Sequence, residues 1–106
     1  MIVSADEGIA LSATRLKHRV MYFIMKYYIY IIYSLLFDKY YIGQSSDVEN
    51  RLDQHNRGIS KSTKPYKPWV LILKIEKDSR KEALILERKL KNLSKIRLKK
   101  FIEKYS

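Results

Sequence analysis

Five side chains of types that could together break a phosphodiester bond stand at separate places along the chain. They are two phenols, a guanidinium, an imidazole and a carboxylate, namely Tyr30, Tyr41, Arg51, His55 and Glu87. A phenol can take a proton from water if neighbouring cations lower its pKa. A guanidinium can hold a phosphate through two hydrogen bonds and stabilise charge that grows in the transition state. The residue types therefore permit hydrolysis of a phosphodiester.

Three of these residues also have a simpler interpretation. Arg51 suits a surface cation, and His55 suits the end of a helix, where an imidazolium interacts favourably with the helix dipole. Glu87 stands at the edge of an apolar stripe and could be a metal ligand or an ion-pair partner of Lys91. Taken singly, Arg51 and His55 are better explained without catalysis. Only convergence of all five in space favours the chemical interpretation.

The two tyrosines are predicted to lie on paired strands. Seven of the eight residues 27–34 are Tyr or Ile, which indicates a strand covered on both faces. Residues 35–39 turn, with the tip at Asp38-Lys39, and residues 40–43 form the second strand of an antiparallel hairpin. Alternation places Tyr30 and Ile32 on one face of the first strand and Ile29 and Ile31 on the other. Gly43 permits close backbone approach or a positive φ.

A helix is predicted to follow the hairpin and to carry the next two candidates. Residues 45–47 are Ser, Ser and Asp, which are preferred at helix N-caps, and the pattern runs to about Asn56. Gly58 suits the position just past the helix end. Arg51 lies one turn before His55, so both side chains can reach the same point.

The rest of the chain is predicted to hold a basic loop, a third strand and two helices. Residues 58–68 form the loop, and residues 69–75 the strand, with Trp69 better suited to the core than to stacking on bases. Ser79 opens a capping box and a helix whose stripe places Glu87 at its edge. The last helix covers about residues 96–105. The fold class is therefore a small α/β (α+β) domain, a three-stranded antiparallel sheet flanked by helices.

Length and composition limit the classes of protein. At 106 residues the chain is one domain, and its lack of cysteine excludes disulfides and thiolate sites and suits the reducing cytoplasm. Residues 1–24 are predicted to be an appendage, loosely ordered or a short helix, and residues 25–106 the folded domain.

Residues 20–37 contain one charge, Lys26, and approach the length of a membrane span. Five tyrosine hydroxyls in that stretch favour a buried strand instead.

The excess of positive charge lies in the second half of the chain. Residues 1–56 hold six basic and six acidic residues, whereas residues 57–106 hold sixteen basic and five acidic, which gives the net charge of +11. Such a surface favours a nucleic acid as partner, and an anionic membrane as the second choice. The lysines predicted to contact nucleic acid are Lys61, Lys64, Lys67, Lys91 and Lys95.

In their order and spacing these segments resemble the GIY-YIG nuclease domain, above all its small stand-alone bacterial type, which is related to the N-terminal part of an excinuclease. The resemblance covers about residues 26–102. Its matching segments are Tyr28-Ile29-Tyr30-Ile31-Ile32-Tyr33-Ser34, Tyr40-Tyr41-Ile42-Gly43-Gln44-Ser45, Arg51-Leu52-Asp53-Gln54-His55-Asn56-Arg57-Gly58, Thr63-Lys64, Pro68-Trp69 and Glu82-Ala83 with Glu87. Three positions depart from the family pattern: Tyr28 replaces a glycine, Gln44 a lysine and Lys99 an asparagine.

The resemblance implies a DNA endonuclease that uses one divalent cation, Mg²⁺ or Mn²⁺, in DNA repair or on branched DNA. By that likeness, Tyr41 is the general base, Tyr30 shares or supports that role, and His55 orients the nucleophile or relays a proton. Arg51 is the catalytic arginine and Glu87 the metal ligand. The alternative is a nucleic-acid-binding module of the same fold with weak or no catalysis. A protein of the membrane surface is a third possibility.

Overall fold

The computed structural model describes residues 26–106, so the predicted appendage at residues 1–24 lies outside the described residues. Three strands are present, β1 (Tyr27–Ser34), β2 (Lys39–Ser45) and β3 (Val70–Lys77). The helices are α1 (Val48–Asn56), α2 (Arg80–Lys91) and α3 (Lys95–Tyr105), and a short 3₁₀ helix covers Lys64–Tyr66. The strand order is β2-β1-β3, and both pairings are antiparallel. The predicted fold class is confirmed.

Strand β1 is the central strand of the sheet, and its apolar residues are buried on both faces. Ile29 and Ile31 face α2 and α3 and join one apolar cluster with Ala83 and Leu90. The opposite face carries Tyr30 and Ile32, which pack with Val48 of α1 and with Trp69. The alternation predicted for residues 27–34 is therefore confirmed. Two cores, one on each face, fix the sheet between the helices.

The helices begin at the polar residues that the sequence indicates. Asp47 caps α1 by accepting a hydrogen bond from the backbone N–H of Asn50 at 3.1 Å. Ser79 caps α2 in the same way, through the N–H of Glu82 at 3.1 Å. Such caps contribute about 1 kcal/mol each. Gly58 follows α1 with a φ of +76°, which a glycine adopts without strain.

Strand β3 begins one residue later and ends two residues later than predicted. Trp69 does not begin the strand ladder, because its backbone N–H donates to Asn56 Oδ1 at 2.6 Å and its side chain enters the core. At the other end, pairing of Lys77 with Tyr27 extends the strand beyond Ile75. The core position predicted for Trp69 is confirmed. In the part of the chain that the structure describes, every helix is too short or too polar to cross a bilayer.

Candidate active site

Tyr30 and Gly43 stand directly opposite each other on β1 and β2. A Cβ atom added to Gly43 would lie 2.5 Å from the hydroxyl oxygen of Tyr30 and 2.6 Å from its Cζ. The phenol ring therefore lies across the glycine and fills the space that any other side chain would need. Of the two reasons predicted for this glycine, close approach is the one that applies, since its φ is not positive.

Replacing Gly43 with alanine is expected to destabilise the fold and to move Tyr30. The buried ring has no space to accept the methyl group, so we expect a loss of about 1–3 kcal/mol in the free energy of unfolding. Urea denaturation measures that loss. Gly58→Ala is the comparison variant, because alanine there is penalised by the positive φ and its nearest atoms belong to lysine side chains outside the core, so Tyr30 should not move. A Gly43→Ala variant as stable as the wild type would contradict the close packing of the Tyr30 ring on Gly43.

A buried chain of hydrogen bonds links Tyr30 to the loop after α1. The Tyr30 hydroxyl is 2.9 Å from His55 Nε2, and His55 Nδ1 is 2.8 Å from the Thr63 hydroxyl. All three residues are at most 1% exposed. Trp69 Nε1 donates to the Thr63 carbonyl at 3.0 Å, which fixes the loop. His55 is therefore held at both ring nitrogens, and its ring orientation is fixed by two partners.

Burial controls the protonation of this chain. Burial raises the pKa of Tyr30 to about 12, although the charge of Arg51 acts in the opposite direction. Burial also lowers the pKa of His55, and the nearby guanidinium of Arg51 lowers it further. At neutral pH the phenol and the imidazole are both uncharged. Tyr30 is thus better suited to positioning than to sharing the role of general base.

The free energy of unfolding is expected to fall as the pH drops below about 6.5, the ordinary pKa of histidine. The pKa of His55 is lower in the folded state, so the unfolded chain binds more protons in this range and gains stability as the pH falls. The neighbours of the His55 ring are Tyr30, Thr63 and Arg51. None of them carries a negative charge that would stabilise the protonated imidazole. Urea denaturation from pH 7 to pH 5 measures the slope. His55→Gln should have a shallower slope, and equal slopes would contradict the lowered pKa.

Tyr41 lies at the outer side of this chain. Its ring centroid is 4.9 Å from that of His55 and 6.3 Å from that of Tyr30. Trp69 packs at 6.4 Å in an edge-on arrangement. Tyr41 is partly exposed, whereas Tyr30 is fully buried. Of the two phenols, Tyr41 is therefore the one that a water molecule and a substrate can reach.

Arg51 and Glu87 approach the phenols from two helices. The charge of Arg51 lowers the pKa of Tyr30, and the charges of Tyr41 and Glu87 raise it, so all three lie within electrostatic reach of one hydroxyl. Arg51 Nη1 donates to Gln54 Oε1 at 2.7 Å, which orients the guanidinium along α1. Strands β1 and β2 and helices α1 and α2 thus bring the five predicted residues together.

Glu87 has two partners beside the site. Its Oε2 is 3.0 Å from Lys91 Nζ, so the predicted ion pair is present, and its Oε1 accepts from Gln44 Nε2 at 3.3 Å. The amide oxygen of Gln44 is buried without a hydrogen-bond partner. The Glu87 carboxylate is an oxygen ligand of the kind that Mg²⁺ prefers, whereas Gln44 turns its amide nitrogen toward it. Among residues 26–106 no three His, Cys, Asp or Glu side chains cluster, so Glu87 would be the principal protein ligand.

The lysines predicted to contact nucleic acid fall into two groups. Lys61, Lys64 and Lys67 are exposed on the loop after α1. Lys91 and Lys95 line an open depression of about 340 Å³ that Tyr41 also lines. Lys91 is paired with Glu87, and Lys95 Nζ is 2.6 Å from Asp38 Oδ2. The ion pairs that the structure gives for Lys91 and Lys95 are with Glu87 and Asp38, so any phosphate they bind would share the ammonium group with a carboxylate.

Sequence reasoning assigned no site role to Thr63 or Gln54 and did not predict the contact between Gln44 and Glu87. Thr63 lies between two lysines of a basic loop, a setting that gives no sign of complete burial. Gln54 stands three residues after Arg51, which is the spacing of neighbours on one helix face and could have indicated their contact. Gln44 meets Glu87 across 43 positions of sequence, and no local signal predicts such a pair.

Comparison with known proteins gives two positive findings. The model of the GIY-YIG catalytic domain family matches residues 26–101, a range that contains all five site residues. The solution NMR structure of the UPF0213 protein BH0048 from Bacillus halodurans is similar at 28% identity and a TM-score of 0.50. That alignment covers 74% of this chain and 84% of the other. Comparison with curated protein sequences returned no match.

Proposed function

The chain belongs to the GIY-YIG catalytic domain family, and on this premise we propose that it is a metal-dependent endonuclease that hydrolyses phosphodiester bonds in DNA. Domains of this family are usually endonucleases. The observation that carries the proposal is the convergence of Tyr41, Arg51 and Glu87 on the buried Tyr30–His55 pair. A phenol that solvent reaches, a guanidinium and a carboxylate would then act together on a scissile phosphate.

The exposed and the buried side chains of the site have different proposed roles. Tyr41 takes the proton from the attacking water, with its ring supported by His55 and Trp69. Arg51 binds the non-bridging phosphate oxygens and stabilises the charge that develops on them. Tyr30 and His55, buried and uncharged, hold the position of the Tyr41 ring. When bound, a single Mg²⁺ or Mn²⁺ ion held by Glu87 would supply stabilisation of charge on the departing oxygen.

DNA is the proposed partner, in repair or at branched structures in the cytoplasm. The net charge of +11 supports attraction to a polyanion, and the exposed Lys61, Lys64 and Lys67 suit contacts to its phosphates. These contacts position the substrate without reading its sequence. We therefore expect low sequence specificity and binding that weakens steeply as salt is added.

One observation favours a second candidate function. Glu87 is already neutralised by Lys91 and hydrogen-bonded by Gln44, so a cation has to displace the ammonium group. If the ion pair persists when DNA is bound, the domain binds nucleic acid with weak or no catalysis. This candidate shares the fold and the basic surface with the first and differs from it only at the carboxylate.

The test separates binding from cutting. Purified protein is incubated with linear, flap and splayed DNA in Mg²⁺ and in EDTA, while binding to the same DNA is followed by fluorescence anisotropy. We expect binding in both conditions and cutting only in Mg²⁺. Binding without cutting of any substrate would favour the second candidate. Association with anionic vesicles but not with DNA would reject both.

A further inference from the structure

The turn between β1 and β2 exposes three consecutive large apolar side chains. Leu35 is 77% exposed, Leu36 73% and Phe37 49%. Single exposed apolar residues are ordinary, but a contiguous group marks a surface that binds something. The turn itself does not need them, because Asp38 supplies the positive φ of 51° that reverses the chain. We call Leu35, Leu36 and Phe37 the hairpin tip.

The hairpin tip is held in place by polar contacts at its base. Asp38 Oδ1 accepts from the Tyr33 hydroxyl at 2.8 Å, and Lys95 Nζ donates to Asp38 Oδ2 at 2.6 Å and to the Asp38 carbonyl at 2.8 Å. The hydrogen bond from Lys95 and the one from Tyr33 lower the pKa of the Asp38 carboxyl. The negative charge of Asp38, next to the tip, is thereby balanced by the ammonium group of Lys95. A preformed tip loses little conformational entropy when it binds a partner.

Phe37 connects the hairpin tip to the side of the sheet on which Tyr30 and Trp69 lie. The Phe37 ring packs edge-on against Tyr66 at 5.4 Å, and Tyr66 packs against the cluster that contains Tyr30 and Trp69. Tyr41 lies three residues beyond Asp38 on β2, a distance of about 10 Å along an extended strand. The tip and the proposed site of hydrolysis are therefore a few nucleotides apart.

Ammonium groups flank this apolar surface. Lys39 Nζ lies 4.8 Å from the centre of the Tyr66 ring. Lys64 opens the short helix that contains Tyr66, Lys67 follows it, and both lysines are exposed. An apolar and aromatic surface between cations complements a nucleic acid, whose bases are apolar on their faces and whose backbone is anionic. These three lysines favour a polyanion with flat apolar bases over an uncharged protein surface.

We propose that the hairpin tip and Tyr66 bind unpaired or unstacked bases next to the phosphodiester that is cut. The inference rests on the proposed DNA function and names the substrate class. Duplex DNA hides the faces of its bases, whereas a splayed junction or a flap presents them. Apolar side chains gain contact only in the second case, as they do when they wedge between opened base steps. The protein therefore prefers DNA that is opened near the cleavage position.

The test compares binding of splayed and fully duplex DNA of the same sequence in EDTA, where no cutting is expected. Fluorescence anisotropy is measured for the wild type and for the Leu35→Ser/Leu36→Ser variant. Both replaced side chains are largely exposed, so the fold should persist, and circular dichroism verifies this. We expect the wild type to bind splayed DNA about tenfold more tightly than duplex, and the variant to lose that preference with duplex binding unchanged. Ile85→Ser, at a residue of α2 that is 52% exposed, is the matched control and should keep the preference.

Two outcomes would overturn the inference while leaving the proposed function intact. The first is an unchanged preference in the variant. The second is equal binding of both DNAs by the wild type. If the Leu35→Ser/Leu36→Ser substitutions then abolish vesicle binding or self-association, the hairpin tip binds a membrane or a second copy of the chain. A wild type that binds no DNA at all would reject the proposed function together with this inference.

Discussion

Replacing Glu87 with glutamine is expected to slow DNA cleavage about a thousandfold in Mg²⁺ and to leave DNA binding in EDTA nearly unchanged. Without the metal, the departing oxygen loses several kcal/mol of stabilisation in the transition state. Each 1.36 kcal/mol added to the barrier slows the reaction tenfold. Glutamine has the shape of glutamate and keeps an oxygen for the amide of Gln44. The substitution therefore removes the charge with little change in packing.

The measurement for Glu87→Gln is single-turnover cleavage of labelled DNA, together with titration of Mn²⁺ followed by its paramagnetic broadening of NMR signals. Broadening near Gln44 is expected in the wild type and should be lost in the variant. Glu82→Gln is the control, because that carboxylate is exposed in the first turn of the same helix. Cleavage by Glu87→Gln within tenfold of the wild type would contradict the assignment of the metal ligand.

Replacing Arg51 with alanine is expected to slow cleavage by about 10²–10³-fold, the usual cost of losing a fixed group that stabilises transition-state charge. The same substitution removes a positive charge that lowers the pKa of both Tyr30 and His55. We therefore expect the pKa of His55 to rise, which NMR titration of the imidazole measures independently of activity. Arg51→Lys should recover part of the rate, because an ammonium keeps the charge but not the two parallel hydrogen bonds.

Arg57→Ala is the matched control for Arg51→Ala. Arg57 caps the same helix, and its side chain is 65% exposed in a pair with Asp53 at 3.3 Å. Exposed pairs contribute little to stability, so this variant should cleave DNA at nearly the wild-type rate and leave the pKa of His55 unchanged. Equal rates for the two variants would show that Arg51 acts only through the net charge of the surface.

The hairpin was predictable because local patterns specify it. Alternation of apolar residues in β1 indicated which side chains share a face, and the glycine at 43 indicated close approach or a positive φ, of which the structure has the first. The register was not predictable to one residue. The expected tip at Asp38-Lys39 is wrong by two positions, because Lys39 already pairs with Ser34 and the turn over residues 35–38 is centred on Leu36 and Phe37.

Contacts between distant parts of the chain were beyond local patterns. Lys95 was predicted to contact nucleic acid, yet its ammonium group is held by Asp38, 57 positions away, where it supports the hairpin tip. The likeness of five spaced residues to a family indicated that they converge, whereas periodicity alone left Arg51, His55 and Glu87 with simpler interpretations. The partners that hold them, Thr63 on His55 and Gln44 on Glu87, depend on loop and helix placement that no spacing rule describes.

We propose that Tyr41 and a bound cation cut DNA at this site. The most direct measurement is single-turnover cleavage of a splayed DNA by the wild type and by Tyr41→Phe, in Mg²⁺, in EDTA, and after Mg²⁺ is restored. We expect the wild type to cut only with the cation present and to recover when it is returned. Tyr41→Phe, which lacks one hydroxyl, should bind the same DNA and cut it at least about a hundredfold more slowly. Cutting in EDTA, or undiminished cutting by Tyr41→Phe, would contradict the claim.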